Sequence, residues 1–203
     1  METAGEYGID VARFDAVPAD EAHDRMRQYG LQWTWARGNT ERAVCPKTGL
    51  HQHPYGYLPA KIGCSLSHWL LWRKCAQLGQ PMLILEHDAE IIGPIPRIDD
   101  TCQINDPEGA THKGAWWSKQ IAAKGPGIHG KTRVMDDPKR PDGLAGNSAY
   151  VITPEDADRA VGLFYDIGVW PNDATLCIQL FPGLKELYPF AARTRQEQST
   201  TCV

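Results

Sequence analysis

The segment of residues 63–92 constrains the fold more than any other part of the chain. Apolar residues at helical spacing fill its first half, and Gly79 followed by Pro81 ends the predicted helix. Met82–Leu85 then forms an apolar run without alternation, which is typical of a strand covered on both faces. The segment therefore predicts a helix followed directly by a buried strand, as in an α/β fold.

The predicted helix carries two apolar rows that together make a wide buried face. The rows consist of Trp69, Trp72 and Ala76, and of Leu71, Cys75 and Leu78. We expect the helix to begin at Ser65 or Ser67, whose hydroxyls can cap it after a turn at Gly63. Ser67 and His68 would then lie in the first turn, where free backbone amides can bind a phosphate.

Three ionisable residues, Glu86, His87 and Asp88, follow the predicted strand. Burying such groups is costly unless something compensates them, and the carboxyl edge of an α/β sheet is where ligands bind. Because side chains alternate along a strand, we expect Glu86 and Asp88 on one side, where paired carboxylates suit a hard divalent cation. A solvated strand end, satisfied by backbone amides, explains the same residues without a ligand.

These residues resemble the pattern of glycosyltransferase family 25, which includes lipooligosaccharide and collagen galactosyltransferases. The shared features are G-C-x-x-S-H from Gly63, a Trp-containing helix, an apolar strand and an acidic triplet. The family has Glu-Asp-Asp where this chain has Glu86, His87 and Asp88, so the two outer acids match and the middle residue departs from the pattern.

Two further segments extend the resemblance from about residue 9 to residue 173. Residues 14–17 (F-D-A-V) look like the family's early F-x-A-V segment, and residues 146–152 resemble its later Gly-x-x-x-Tyr-hydrophobic strand. The family's first strand, with an I-N-L signature, and its Arg-rich helix have no counterpart before residue 7. The resemblance thus indicates a family member that is short at its amino terminus.

The resemblance implies a fold and an activity. The implied fold is α/β and GT-A-like, with a mostly parallel Rossmann-type sheet and flanking helices in a single domain over residues 1–203. The implied activity is inverting transfer of a hexose from a nucleotide sugar, a UDP-sugar, to a hydroxyl of a glycan such as lipopolysaccharide. A hydroxylated base in phage DNA is a second acceptor class, and a catalytically inactive module that binds a sugar or a protein partner is the alternative.

The resemblance also implies roles for individual residues. Asp88, with Glu86 and His87, would hold Mn²⁺ (or Mg²⁺) on the donor diphosphate, and the imidazole favours Mn²⁺. Asp173 would be the catalytic base, although a helix-capping role explains it equally well. His68 is likewise explained by a hydrogen-bonded, half-buried histidine without any ligand. We expect the nucleotide sugar to be bound by Ser67, His68, Glu86 and Asn147.

The composition is that of an ordinary globular protein, with 42% hydrophobic and 23% charged residues. A net charge of −4 gives no general reason to bind nucleic acid or an anionic membrane. No apolar run approaches the ~20 residues of a membrane helix, and no signal region opens the chain. The six cysteines form no C-x-x-C pair, so we expect reduced thiols in a cytoplasmic protein.

Residues 105–143 are predicted to be a long functional loop, because Pro and Gly recur in them without a clear periodic pattern. Its Trp116 and Trp117 can stack on a sugar or a base, or can anchor the loop. Residues 125–132 fit the phosphate-loop expression G-x-x-x-x-G-K-[ST]. We interpret this as a chance match, because no strand precedes it and prolines forbid a long helix after it.

The remaining predictions concern local structure. We expect strands at residues 7–17, 31–35 and 144–152, and helices at residues 19–29 and from Pro154, the latter capped by Thr153. Gly146 beside Asn147 suits a close backbone approach to a ligand. Residues 188–203 are predicted to be a tail that either lies across the site or frays. Within residues 40–60, the candidate zinc ligands lack a fourth partner, so a surface loop is favoured; they are Cys45, His51 and His53.

Overall fold

The computed structural model describes residues 2–36, 43–54, 58–109, 113–144 and 147–195. The helices are α1 (Glu2–Glu6), α2 (Ala22–Gln28), α3 (Leu58–Leu78), α4 (Gly114–Ala122), α5 (Pro154–Asp166) and α6 (Asn172–Thr175). The strands are β1 (Ala43–Val44), β2 (His51–Gln52), β3 (Met82–Leu85), β4 (Ala89–Ile91), β5 (Cys102–Gln103), β6 (Asn105–Asp106), β7 (Gly127–Gly130), β8 (Ala149–Ile152), β9 (Lys185–Tyr188) and β10 (Ala192–Thr194). The predicted α/β class is therefore confirmed.

A five-stranded sheet in the order β3-β8-β5-β9-β7 forms the centre of the described part of the chain. Only the β5–β9 pairing in it is parallel; β3 with β8, β8 with β5 and β9 with β7 are antiparallel. The prediction of a mostly parallel Rossmann-type sheet is wrong. An apolar run such as Met82–Leu85 indicates cover on both faces, but the direction of a strand's neighbours depends on distant connections that the run does not encode.

The two faces of this sheet are covered by different layers. Ile84, Tyr150 and Ile152 pack on the side of α3 and α5, which also pack against each other. Ala149 and Val151 belong to a second apolar cluster on the opposite side. Alternate residues of β8 thus enter opposite clusters, which is why all four of its residues are buried.

A second sheet, in the order β4-β10-β6, supplies much of that opposite cluster. Its central strand is Ala192–Thr194, antiparallel to β4 and parallel to β6. The prediction of a tail over residues 188–203 is therefore wrong where the structure describes it. Arg193 pairs with Glu90 at 2.6 Å. The strand was not predicted because its sequence is polar and its partner strands come from residues 89–91 and 105–106, about 90–100 positions earlier in the chain. Residues 196–203 lie outside the described residues.

The central helix α3 begins at Leu58, earlier than predicted. Ser65 and Ser67 therefore lie inside it, and their hydroxyls donate to the carbonyls of Lys61 and Gly63, four residues back, at 2.8 Å each. The prediction that Ser67 and His68 occupy the first turn is wrong, because Gly63 continues the helix instead of breaking it. The predicted end is confirmed, since Gly79 has a positive φ of 66°.

Residues 14–17 do not form the predicted strand; they run along α3 without sheet partners among the described residues. The Val17 N–H donates to Ser67 Oγ at 2.9 Å. A Cβ on Gly63 would lie 2.5 Å from the Val17 carbonyl oxygen, so only glycine allows this approach. The two segments that resemble the family's motifs therefore contact each other through packing.

The predicted loop over residues 105–143 contains β6, α4 and β7. Trp117 is buried while Trp116 is half exposed. The phosphate-loop match is indeed accidental, because residues 127–130 pair with β9 as an edge strand and no helix follows. Lys131 lies in the interior and pairs with buried Asp142 at 2.6 Å.

Two helix predictions are confirmed with small changes in their bounds. Thr153 Oγ1 accepts a hydrogen bond from the Asp156 N–H at 3.2 Å and so caps α5, with Pro154 at its first position. The helix predicted for residues 19–29 spans Ala22–Gln28. Residues 31–35 contribute only an isolated bridge between Trp33 and Val169.

Candidate functional site

One face of α3 carries Lys61, Cys64 and His68, which recur three and four residues apart. The end of β3 brings Glu86 against this face. Across the described residues, one group of metal-ligand type forms: the ligand atoms of Cys64, His68 and Glu86 all lie within 4.8 Å of one another. The site is therefore built by the helix–strand unit that the sequence predicts.

His68 is the centre of a chain of hydrogen bonds. Its Nε2 lies 2.9 Å from Glu86 Oε1 and its Nδ1 lies 2.7 Å from Tyr150 Oη, which also accepts the Trp72 indole N–H at 2.9 Å. Burial alone would lower the pKa of His68, but Tyr150, Cys64 and Glu86 together raise this pKa well above its usual value. His68 therefore links the Glu86 carboxylate to the Tyr150 hydroxyl.

The sheet register explains why Tyr150 reaches His68. β8 pairs with β3 so that Tyr150 lies opposite Ile84, and both face α3. Burial raises the pKa of Tyr150, so its phenol stays protonated and neutral. The ring of Tyr150 also stacks on that of His68, with centroids 5.7 Å apart. These contacts fix the imidazole in one orientation.

Glu86, His87 and Asp88 form a tight turn between β3 and β4, closed by the Ala89 N–H donating to the Glu86 carbonyl at 3.1 Å. Because the strand ends at Leu85, strand alternation does not place Glu86 and Asp88 side by side. Glu86 and Asp88 are half-buried and His87 is exposed. The structure gathers Glu86 with Cys64 and His68 and does not gather the predicted trio into one group.

Asp173 lies in the first turn of α6, after Pro171, and is half-buried. Burial raises the pKa of Asp173; the positive charge of Lys61 opposes this rise and the negative charge of Glu86 adds to it. Asp173 therefore feels the charges of the same site. Its neighbour Asn172 accepts a hydrogen bond from the Cys64 thiol at 3.6 Å, which joins α6 to α3.

Asn147 is the most unusual residue near the site. It is a buried non-glycine residue with a positive φ of 35°, and neither polar atom of its side-chain amide has a hydrogen-bond partner among the described residues. The next residue, Ser148, accepts the Glu86 N–H at 2.7 Å, so Asn147 lies beside the Glu86 turn. A buried, unpaired amide in a strained backbone is typical of a ligand-binding position. Gly146 lies outside the described residues.

Sequence reasoning missed Asn105. Its Oδ1 is buried without a hydrogen-bond partner among the described residues, while its Nδ2 donates to Thr194 Oγ1 at 3.3 Å. Thr194 Oγ1 also lies 2.9 Å from Ser148 Oγ, which places Asn105 on the same edge as Asn147. No motif or periodic pattern around residues 105–107 (N-D-P) distinguished this amide.

Ser67 and the candidate zinc ligands have other roles in the structure. Both hydrogen bonds of Ser67 Oγ go to the backbone of Val17 and Gly63, so nothing in its geometry favours a ligand. His51 Nδ1 pairs with Asp137 Oδ2 at 2.7 Å, and Cys45 is buried away from any such group in the part of the chain that is described. Nucleotide-sugar binding by Ser67 stays a prediction.

Residues 2–94 match the model of glycosyltransferase family 25 (LPS biosynthesis protein). The family resemblance is confirmed over these residues, and its extension to residues 146–173 stays a prediction. The match covers slightly less than half of the chain and includes α3, Glu86 and Asp88, but neither Asn147 nor Asp173. A search of curated proteins gave no match.

The family indicates a transferase that moves a sugar in lipopolysaccharide biosynthesis. Such a reaction needs a sugar donor and an acceptor. In the described ranges, no helix is long and apolar enough to cross a membrane.

Proposed function

We propose that the chain transfers a hexose from a nucleotide sugar, a UDP-sugar, to a hydroxyl group of a glycan in lipopolysaccharide biosynthesis. The observation that carries this proposal is the convergence of Glu86, His68 and Asp173 from three elements around one site. The family match over α3 and β3 supports the same activity. Acidic groups at a strand end are suited to binding a phosphorylated donor through a divalent cation, and an acidic group can also accept the proton of the acceptor hydroxyl.

Asn147 and His68 are proposed to contact the donor. The unpaired amide of Asn147 offers one donor group and one acceptor, which suits sugar or ribose hydroxyls. His68 holds Glu86 through a direct hydrogen bond, so it orients the carboxylate even where it does not touch the ligand. Each of these contacts would be made by groups that the protein already holds in place.

Glu86 and Asp88 are proposed to hold a divalent cation, Mn²⁺ or Mg²⁺. Hard cations of this kind are often held by one or two carboxylates together with substrate phosphates, and these two half-buried carboxylates flank one turn. His87 fits less well because it is exposed. When bound, the cation would neutralise charge on the diphosphate leaving group.

Asp173 is proposed to act as the general base. In an inverting displacement, the acceptor oxygen bonds to the anomeric carbon, the bond from that carbon to the diphosphate oxygen breaks, and Asp173 takes the acceptor proton. A pKa raised by burial makes this carboxylate a better proton acceptor than an ordinary aspartate. The positive charge of Lys61 opposes this rise in the pKa of Asp173.

The first test is thermal unfolding of the purified chain with UDP and Mn²⁺, separately and together. Ligand at ~100 times its dissociation constant adds about 2.7 kcal/mol, or roughly 5–10 °C in Tm for a chain of this size. We expect the full shift only with both ligands, and its loss in Asp88→Ala but not in Asp158→Ala, a control on the exposed face of α5. A well-folded sample that shows no shift would count against a donor site.

The alternative is a module that binds a sugar without turnover, and His87 in place of the family's acid is the observation that favours it. This alternative predicts a shift with UDP-sugar but no release of UDP when a lipopolysaccharide-derived glycan is added. Release of UDP that depends on the glycan would exclude it.

A further inference from the structure

We propose that Cys64, His68 and Glu86 form a Zn²⁺ site, separate in chemistry from the carboxylate pair suggested for Mn²⁺ or Mg²⁺. The three ligand atoms lie within 4.8 Å of one another, so small side-chain rotations would bring all three within reach of one ion. Two of the ligands come from α3 at a spacing of four residues, and the third comes from the end of β3. This site goes beyond glycosyl transfer, and its test needs no enzymatic activity.

The chemistry of the donor set favours zinc over a hard cation. Thiolate sulfur, imidazole nitrogen and carboxylate oxygen are the three ligand types that Zn²⁺ takes in proteins, at about 2.0–2.3 Å. Mg²⁺ and Mn²⁺ prefer oxygen ligands, so a thiolate selects against them. Three protein ligands also leave a fourth tetrahedral position open, as in catalytic zinc sites.

The surroundings of His68 supply the support that a zinc-binding imidazole requires. Ligating histidines almost always donate their second ring N–H to a fixed acceptor. Here Nδ1 lies 2.7 Å from Tyr150 Oη, and Tyr150 is itself held by the Trp72 indole at 2.9 Å. The Nε2 atom faces Glu86 Oε1 at 2.9 Å, so zinc would enter by replacing this hydrogen bond and moving the two atoms slightly apart.

The competing explanation is that Cys64, His68 and Glu86 form a hydrogen-bonded cluster that binds no metal. Zinc binding would replace the Nε2 proton of His68 and the thiol proton of Cys64, and both protons would pass to solvent. Because Glu86 belongs to both sets, Zn²⁺ here would also take Glu86 from the carboxylate pair. The two explanations therefore differ in whether a metal–sulfur bond forms.

The experiment uses Co²⁺ as a spectroscopic probe on the full-length protein under reducing conditions. We expect stoichiometric binding with the near-ultraviolet charge-transfer absorption of a thiolate–cobalt bond and the visible bands of tetrahedral cobalt, both abolished by added Zn²⁺. Cys64→Ser should lose the charge-transfer band. Cys75→Ser is the matched control, since Cys75 lies on the same helix but its thiol faces the Gln80 and Ile152 carbonyls.

A further variant tests the hydrogen bond between His68 Nδ1 and Tyr150 Oη. Tyr150→Phe removes the acceptor of His68 Nδ1 and should weaken Co²⁺ and Zn²⁺ binding by roughly 10–100-fold. Wild-type protein without a charge-transfer band, or a band that survives Cys64→Ser, would overturn the proposal.

A second measurement requires no variant and therefore no assumption about folding. Zn²⁺ should slow alkylation of Cys64 by iodoacetamide, followed by mass spectrometry of the peptide that contains it, and chelation should restore the rate. Equal rates with and without Zn²⁺ would also overturn the site. Protection of Cys64 by Zn²⁺ does not depend on UDP binding. A protein without a UDP-dependent Tm shift would therefore disprove the donor site and not the zinc site.

Discussion

Asp173 is proposed to accept a proton in the reaction, and burying its carboxylate also costs stability. Burial raises the pKa of Asp173 in the folded state above its value in the unfolded chain. The folded state therefore loses stability as the pH rises from the unfolded-state pKa to the raised folded-state pKa. We expect Asp173→Asn to keep or increase the free energy of unfolding at pH 7 while lowering glycosyl transfer by about 10²–10⁴-fold. Urea unfolding and the rate of UDP release measure the two effects.

The control for Asp173 is Asp158→Asn on the exposed face of α5, which should change neither quantity. Wild-type activity should also fall on the acid side at a pH above the usual aspartate pKa of 3.8, since protonation removes the base. An Asp173→Asn protein that is less stable yet fully active would make this residue structural.

Asn147 gives a second prediction at the scale of one residue. Its backbone has a positive φ of 35° and its buried amide lacks partners among the described residues, and both features cost stability. Asn147→Gly relieves both, so we expect a gain of about 1–2 kcal/mol in urea unfolding together with weaker UDP-sugar binding by calorimetry. Loss of stability with unchanged binding would show that Asn147 serves the fold.

At the scale of elements, the family motif around Gly63 has a packing role that substitution can separate from chemistry. A Cβ at Gly63 would lie 2.5 Å from the Val17 carbonyl oxygen, whereas one at Gly162 in α5 would meet nothing within 4 Å. We expect Gly63→Ala to cost about 1–3 kcal/mol and Gly162→Ala to add about 0.5–1 kcal/mol in urea unfolding. Equal effects of the two substitutions would contradict the close approach of residue 17 to α3.

The same elements show what periodicity can and cannot predict. Spacing of apolar residues identified Trp69, Trp72 and Cys75 as core residues of α3, and Gly79 identified its end, because both act within a few residues. The prediction that Leu78 is buried is wrong, since it lies in the last turn of the helix and is 52% exposed. The start of α3 was missed because Ser65 and Ser67 bond to carbonyls within the helix, a choice that depends on the chain packed beside it. Glu86 and His68 were predicted as site residues, but their union with Cys64 depends on tertiary packing that no local pattern encodes.

At the scale of the whole molecule, the sheet order was beyond prediction because β8 and β9 join β3 and β5 across long stretches of sequence. Polar residues also hold these stretches together. Lys131 and Asp142 are both buried, and Asp142 further accepts the N–H groups of Val134 and Met135 at 2.7 and 3.0 Å. Such a network cannot be inferred from sequence, since a lysine in a Gly-rich segment suggests either a phosphate ligand or a solvated surface.

This network also determines how Lys131 variants must be interpreted. Lys131→Ala leaves the Asp142 carboxylate buried without its cation and should cost about 3–5 kcal/mol, whereas Lys119→Ala on the exposed face of α4 should cost little. Loss of activity in Lys131→Ala would then reflect unfolding and would not indicate a phosphate loop. Lys131→Met with Asp142→Asn removes both buried charges while the amide oxygen still accepts the Val134 and Met135 N–H groups, so this double variant should recover part of the loss in urea unfolding. A Lys131→Ala protein as stable as wild type would show that the pair contributes nothing to the fold.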